Sequence, residues 1–189
     1  MKKHWTKLLL SLLFLIAASM SCEETVEVPQ NIPCLLTDVE LCHWDNRGES
    51  PRKSEDNKVP KEAYILELRL LTKVAEEDVE SYYNFQYTQH VLSDPITKIQ
   101  IFTRTAFNQK FPEEADVTSC FSNYPKTIAS NQLVDYTASG GTISVVDKTN
   151  SFFKALLVVP SAGEYRFRIL LTMKSGETLE RVSEPILLF

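Results

Sequence analysis

The sequence predicts an all-β fold, a sandwich of two packed sheets made from about seven to nine strands. Three observations carry that prediction. Apolar residues recur at every second position in several short runs, the pattern of strands with one buried face. Turn-forming residues separate those runs at sandwich-like spacing. No stretch rich in Gly, Ser or Pro divides residues 36–189, and no fixed-period repeat is visible, so one domain is the simplest organisation.

In chain order, Lys2, Lys3 and Lys7 precede an apolar run from Leu8 to Ala18 and the small residues Ser19-Met20-Ser21. That order is a secretory signal over residues 1–21. The apolar run is 11 residues, short of the roughly 20 that a spanning helix needs. Residues 22–35 follow as an extended tether, with Pro29, Pro33 and three acids but no glycine up to Pro33. The first strand spans Leu35 to Trp44 and runs into a turn at Asp45-Asn46-Arg47-Gly48.

Tyr64, Leu66, Leu68 and Leu70 then alternate with Glu67 and Arg69, and Ile99 and Ile101 alternate with Lys98, Gln100 and Arg104. Between them, Val74-Ala-Glu-Glu-Asp-Val79 holds helix formers, so residues 74–83 read equally as a short helix or a loop. Gly140-Gly141 joins two further candidates, Leu133–Thr137 and Thr142–Val146. The wholly apolar Ala155–Val159 reads as a central buried strand. Tyr165, Phe167, Ile169, Leu171 and Met173 share one face of the clearest strand, Ser175-Gly176 makes a hairpin turn, and Leu179–Phe189 returns, with Pro185 at an edge or bulge.

Removing residues 1–21 takes away Lys2, Lys3 and Lys7, which moves the net charge from −5 to −8. An acidic chain without a basic cluster excludes nucleic acid as a partner, because phosphate binding draws on clustered Lys and Arg. Arg47, Arg52 and Lys53 are the densest basic spot, and they lie among Glu49, Glu55 and Asp56 in a solvated loop. Export places the chain where disulfides persist. On a strand Cys34 and Cys42 stand about 26 Å apart, beyond disulfide reach. Cys120 is therefore the expected partner, of Cys42 in the first place, which would pin the first strand to the loop around residue 120, with Cys34 as the alternative and three free buried thiols as the remaining possibility.

Cys22, directly after the small residues, resembles the cysteine of a bacterial lipobox, although Ser19 stands where that motif usually has Leu. The resemblance implies lipid attachment at Cys22 and a membrane as partner. Cleavage after Ser19-Met20-Ser21 without lipidation is the alternative. Pro160-Ser-Ala-Gly163-Glu-Tyr165-Arg-Phe167 resembles the Gly-x-Tyr corner of immunoglobulin-like sandwiches, which implies a Tyr165 hydroxyl bonded to nearby backbone. Ser161 and Phe167 stand where that corner usually has Asp and Cys. His43-Trp-Asp-Asn-Arg-Gly48, Val59-Pro-Lys-Glu-Ala-Tyr64 and Gly163-Glu-Tyr165 together resemble a group of Bacteroidetes cell-envelope lipoproteins with a domain of no assigned function. That family implies an immunoglobulin-like β-sandwich tethered to an outer membrane and no known chemistry. Glu23 and Glu24 resemble the acidic surface-export signals of the same phylum.

Candidate sites are few. Only His43 and His90 remain after processing. His43 with Asp45 and Glu40 is the best local cluster, yet on a strand Glu40 points away from the other two, so a polar strand end outweighs a metal site. Asp45-Asn46-Arg47-Gly48 lacks the alternating oxygens of a calcium loop. No Gly-x-Ser-x-Gly elbow, Gly-x-Gly-x-x-Gly or Walker loop occurs, and five glycines leave little for a phosphate cradle. Tyr82, Tyr83 and Tyr87 belong to the richest aromatic patch and are candidate contacts for a sugar ring or a protein, with core packing of Tyr83, Phe85 and Tyr87 as the competing role. The expectation is a lipid-anchored binding or scaffolding protein without catalysis or cofactor. Its alternatives are a glycan- or protein-recognition module using the aromatic patch or the charged loop Asn46–Val59, and an envelope hydrolase that would need His43 or His90 beside an acid and a nucleophile.

Overall fold

The computed structural model describes residues 30–75, 88–124, 143–146 and 151–189. These form β1 (Gln30–Asp45), β2 (Arg52–Lys53), β3 (Lys58–Val59), β4 (Tyr64–Val74), β5 (Thr88–Thr103), β6 (Phe121–Tyr124), β7 (Ile143–Val146), β8 (Ser151–Leu156), β9 (Gly163–Tyr165), β10 (Phe167–Met173), β11 (Thr178–Val182) and β12 (Ile186–Leu188). Two 3-10 turns, Lys61–Ala63 and Thr118–Cys120, complete them, and the described residues hold no α-helix. The protein is all-β, in two sheets. The larger runs β11-β10-β5-β1-β4-β8-β6, with β2 added to β1 and β7 to β5, and the smaller runs β3-β12-β9.

The long strand β1 organises the larger sheet. Its first residues pair in parallel with β5, from Gln30↔Thr88 to Cys34↔Leu92, and the rest pairs antiparallel with β4, ending at Asp45↔Tyr64. Past Cys34 the two neighbours part, and β5 continues against β10 up to Thr103↔Phe167. In a flat sheet of this order β4 and β10 would lie three strand spacings apart, roughly 14 Å. Instead the rings of Tyr64 and Phe167 stack with centroids 5.7 Å apart. The sheet is therefore folded so that its two wings face each other across a shared core. Phe121 meets Phe167 edge-on at 5.5 Å and Tyr165 stacks on it at 6.2 Å. Val59, Ile186 and Leu188 of the small sheet are buried in the same core.

The alternation of β10 is seen as predicted, with Phe167, Ile169, Leu171 and Met173 buried and the residues between them partly exposed. Gly176, at φ +93°, occupies the hairpin turn after it. Five expectations change. Strand β1 begins at Gln30, so residues 30–35 belong to the folded body and not to the tether. The prolines hid a short alternation in which Ile32 and Cys34 are both buried. There are twelve strand segments among the described residues where about eight were expected, because strands of two or three residues such as β2, β3, β9 and β12 are too short to show a period.

The predicted central strand Ala155–Val159 stops at Leu156. Leu157 turns to donate its N–H to the Cys120 carbonyl, and Leu157, Val158 and Val159 are exposed on the way to Pro160, which has no N–H for a ladder. The predicted return strand Leu179–Phe189 is split between the two sheets as β11 and β12. At Ser183 the ladder ends: its N–H still donates to the Phe167 carbonyl, but its hydroxyl and not its carbonyl accepts from the Phe167 N–H, and Pro185 follows. Finally, Cys42 and Cys120 are not bridged: Cys34, Cys42 and Cys120 are all buried free thiols. Cys42 pairs with Glu67 and lies on the face of the sheet away from the core, whereas Cys120 belongs to the core cluster.

Candidate functional site

The first polar cluster predicted from sequence separates in space. His43 lies near the end of β1 and is 4% exposed. Its Nε2 is 2.9 Å from the Glu184 carbonyl, which only accepts, so that nitrogen carries the proton. Nδ1 then accepts from the Tyr64 hydroxyl at 2.8 Å. Burial lowers the His43 pKa, and the Glu184 carbonyl offsets this only in part. Burial also pushes the Tyr64 phenol well up, which keeps its proton in place. Both ring nitrogens are spent, so this is a neutral structural histidine that ties β1 and β4 to the segment between β11 and β12.

The other two members of the cluster go elsewhere. Asp45 is clasped by Arg47, whose Nε and Nη2 donate to its carboxylate at 2.9 and 2.6 Å, and this pairing holds the Asp45 carboxyl below its usual range. Glu40 pairs with Arg69. Among the described residues no three His, Cys, Asp or Glu side chains gather closely enough to hold a metal ion. His90 sits on β5 between Ile32 of β1 and Val146 of β7.

A second network, on the opposite face of β4, was not visible in the sequence. Glu67 reads as the solvent-facing partner of an alternating strand, yet it is 2% exposed. Its carboxylate accepts from the Trp44 indole N–H at 2.8 Å, the Ser151 hydroxyl at 2.7 Å and the Arg69 guanidinium at 3.2 Å. The Trp44 ring meets Phe153 edge-on at 5.5 Å beside it. The carboxylate is thus surrounded by donors and locks β1, β4 and β8 together.

The open site lies just beyond the end of β1. A cleft of about 310 Å³ is lined by Asp45, Arg47, Arg52, Lys53, Ser54, Glu55, Asp56, Lys58 and Phe189. Its loop is pinned at many points. Asn46 N–H donates to the Ala63 carbonyl at 3.0 Å and Ser54 N–H to the His43 carbonyl at 2.8 Å. Asp56 accepts from the Lys58 N–H at 3.2 Å and the Ser54 hydroxyl at 3.4 Å, which closes a tight turn around Asn57 at φ +54°. Strand β12 then holds that turn from below, Leu187 N–H donating to the Asn57 carbonyl at 2.8 Å, and Phe189 N–H donates to the Val59 carbonyl at 3.3 Å. Arg52, Lys53 and Lys58 are exposed, and no ion pair or side-chain hydrogen bond among the described residues engages their charged groups.

The profile of a protein family described as a domain of unknown function, DUF5034, matches residues 36–184. The chain belongs to the DUF5034 family. No curated protein and no solved structure matches it. Within this DUF5034 domain the matched span holds all of the cleft except Phe189. Of the remaining predicted residues, Gly163 and Tyr165 lie on β9, where the Tyr165 hydroxyl donates to the Ser161 carbonyl at 2.7 Å. Cys22, Tyr82, Tyr83 and Tyr87 lie outside the described residues, as does most of the stretch 74–83 considered for a helix or a loop, whose first residue, Val74, ends β4. Among the described residues no helix is long and apolar enough to cross a membrane. Phe189 is the cleft residue that the sequence did not point to, since only the pairing of β12 with β3 brings it beside a loop more than a hundred positions earlier.

Proposed function

We propose that this DUF5034 protein is an envelope recognition module: a lipid-anchored, immunoglobulin-like β-sandwich that binds a glycan or another envelope protein and does no bond-making chemistry. The observation that carries the proposal is the position of the cleft relative to the start of β1. Asp45, which lines the cleft, is the last residue of a 16-residue strand whose first residue is Gln30. At about 3.3 Å per residue, that strand separates its two ends by roughly 50 Å. A lipid on Cys22 would hold the Gln30 end near an outer membrane and present the cleft away from it.

The immunoglobulin-like part of the proposal is supported by the two sheets and by the Tyr165 hydroxyl reaching back to the Ser161 carbonyl, the bond that locks a crossing between sheets in that fold. The non-catalytic part is supported by His43, whose two nitrogens are both committed to structural partners. Metabolic labelling of cells with a fatty-acid analogue tests the anchor. Label is expected on the wild-type protein and lost in a Cys22→Ala variant, and equal labelling of the two overturns the anchored reading.

A further inference from the structure

The cleft has a charge that sets it apart from the rest of the chain. The sequence carries a net charge of −5, and the cleft nevertheless collects Arg47, Arg52, Lys53 and Lys58 against Asp45, Glu55 and Asp56. The acids are not equal opponents of these cations. Asp45 is paired with Arg47, and Asp56, which keeps its charge, is held in its own turn by the Lys58 N–H and the Ser54 hydroxyl, so Glu55 and Asp56 stand against Arg52, Lys53 and Lys58. Glu55 is the one acid of the lining without a hydrogen-bond or ion-pair partner among the described residues, and it shares the lining with Arg52, Lys53 and Lys58. Here the cations outnumber the acids that remain to answer them.

The lining holds one apolar residue, Phe189. Phe189 is 53% exposed, an unusual position for a phenylalanine whose backbone is tied on both sides, by its N–H to Val59 and by its carbonyl to the Lys61 N–H at 3.1 Å. An aromatic ring open to solvent on a backbone held in place is a stacking surface that needs only two side-chain torsions ordered. The volume lies at the small end of ligand pockets, enough for one or two sugar rings and too little for an extended macromolecular surface.

Resting on the recognition reading above, we propose that the cleft binds an acidic saccharide, with the sugar ring against Phe189 and its carboxylate, sulfate or phosphate group held by Arg52, Lys53 and Lys58. Planar and point-like cations side by side suit such a group, because Arg offers a two-pronged donor and Lys a compact charge. A ring without an anion would leave the surplus of positive charge unanswered, and an anion without a ring would leave Phe189 idle. Acidic saccharides therefore bind better than either neutral saccharides or inorganic phosphate.

The test uses the full-length protein in detergent on an array carrying uronic acid, sialylated, sulfated, phosphorylated and neutral glycans, with inorganic phosphate as a competitor. Retention is expected on acidic glycans alone. It should weaken about tenfold or more in an Arg52→Gln/Lys53→Gln variant, the loss of charge-assisted bonds, and also weaken in Phe189→Ala. Millimolar phosphate should compete poorly. Binding of neutral glycans alone overturns the acidic preference while leaving the recognition reading intact. Binding that is indifferent to the double variant overturns the site. An array with no retained glycan overturns the inference as well. In that case photo-crosslinking from position 53 in intact cells separates the two levels: a discrete envelope protein captured there keeps the recognition reading, and no capture removes both.

Discussion

Two polar regions meet at the end of β1, and they behave oppositely. His43 and Asp45 are two residues apart on the same strand. One lies in a sealed network with Tyr64 and Glu184, where every donor and acceptor has been matched in the core. The other opens the cleft, where Arg52, Lys53 and Lys58 are exposed on a pinned loop. The difference teaches that a concentration of polar residues says little about function until its hydrogen bonds are counted. Matched groups hold the fold together, and groups left over on a rigid frame are the ones that can meet a ligand.

That contrast can be broken first on its sealed side. Phe167, 0% exposed, receives the rings of Tyr64, Tyr165 and Phe121. Phe167→Ala is expected to cost about 3–5 kcal/mol, read by urea unfolding, because a cavity opens where the two wings meet. Next, Glu67→Ala leaves the Trp44 indole N–H without its acceptor. A loss of about 1–3 kcal/mol is expected, and a neutral result would show that water reaches that face. Tyr64→Phe removes the donor to His43 Nδ1 while keeping the ring stack, with an expected cost of about 1–2 kcal/mol in the same measurement.

Acidity sharpens the contrast further. The His43 pKa is lowered in the folded protein by burial, so the unfolded chain binds the extra proton more readily. Stability from this group is therefore fully present above the unfolded histidine value of about 6.5 and falls as pH drops below it. Unfolding followed between pH 7.5 and 5 should show that decline in the wild type and a flatter curve in His43→Gln. The smallest effect belongs to the cleft. Arg52→Gln with Lys53→Gln should leave stability within about 0.5 kcal/mol of wild type, since both side chains are exposed. A large loss there would mean that these cations serve the fold after all.

How far the sequence reached follows from the same physics. The face of β10 was legible because one-sided burial imposes a period of two, and Tyr64, Leu66, Leu68 and Leu70 were legible as one apolar face of β4, whose other face is buried as well at Ile65 and Glu67. Glu67 was not legible as buried, because a charged residue between apolar neighbours reads as facing water, and only Trp44, Ser151 and Arg69, brought from three parts of the chain, make its burial tolerable. Leu157–Val159 misled in the other direction, since an apolar run has no period and Pro160 ends its ladder. The loop Asn46–Val59 was recognisable as charged and loop-like. Its wall, Phe189, was not, because nothing local announces that β12 will pair with β3.

Strand β1 has one more consequence, which concerns force. It joins the end of the body nearest the amino terminus to the loop that frames the cleft, and its hydrogen bonds to β4 run across that line. A tug between a held amino terminus and a bound ligand would pull along the strand. The eleven residue pairs from Cys34↔Val74 to Asp45↔Tyr64 would then bear the load together, in shear, and would not peel open one after another. A pull along β1 is thus met by all of these pairs at once, whereas a pull at right angles to it would meet them one by one.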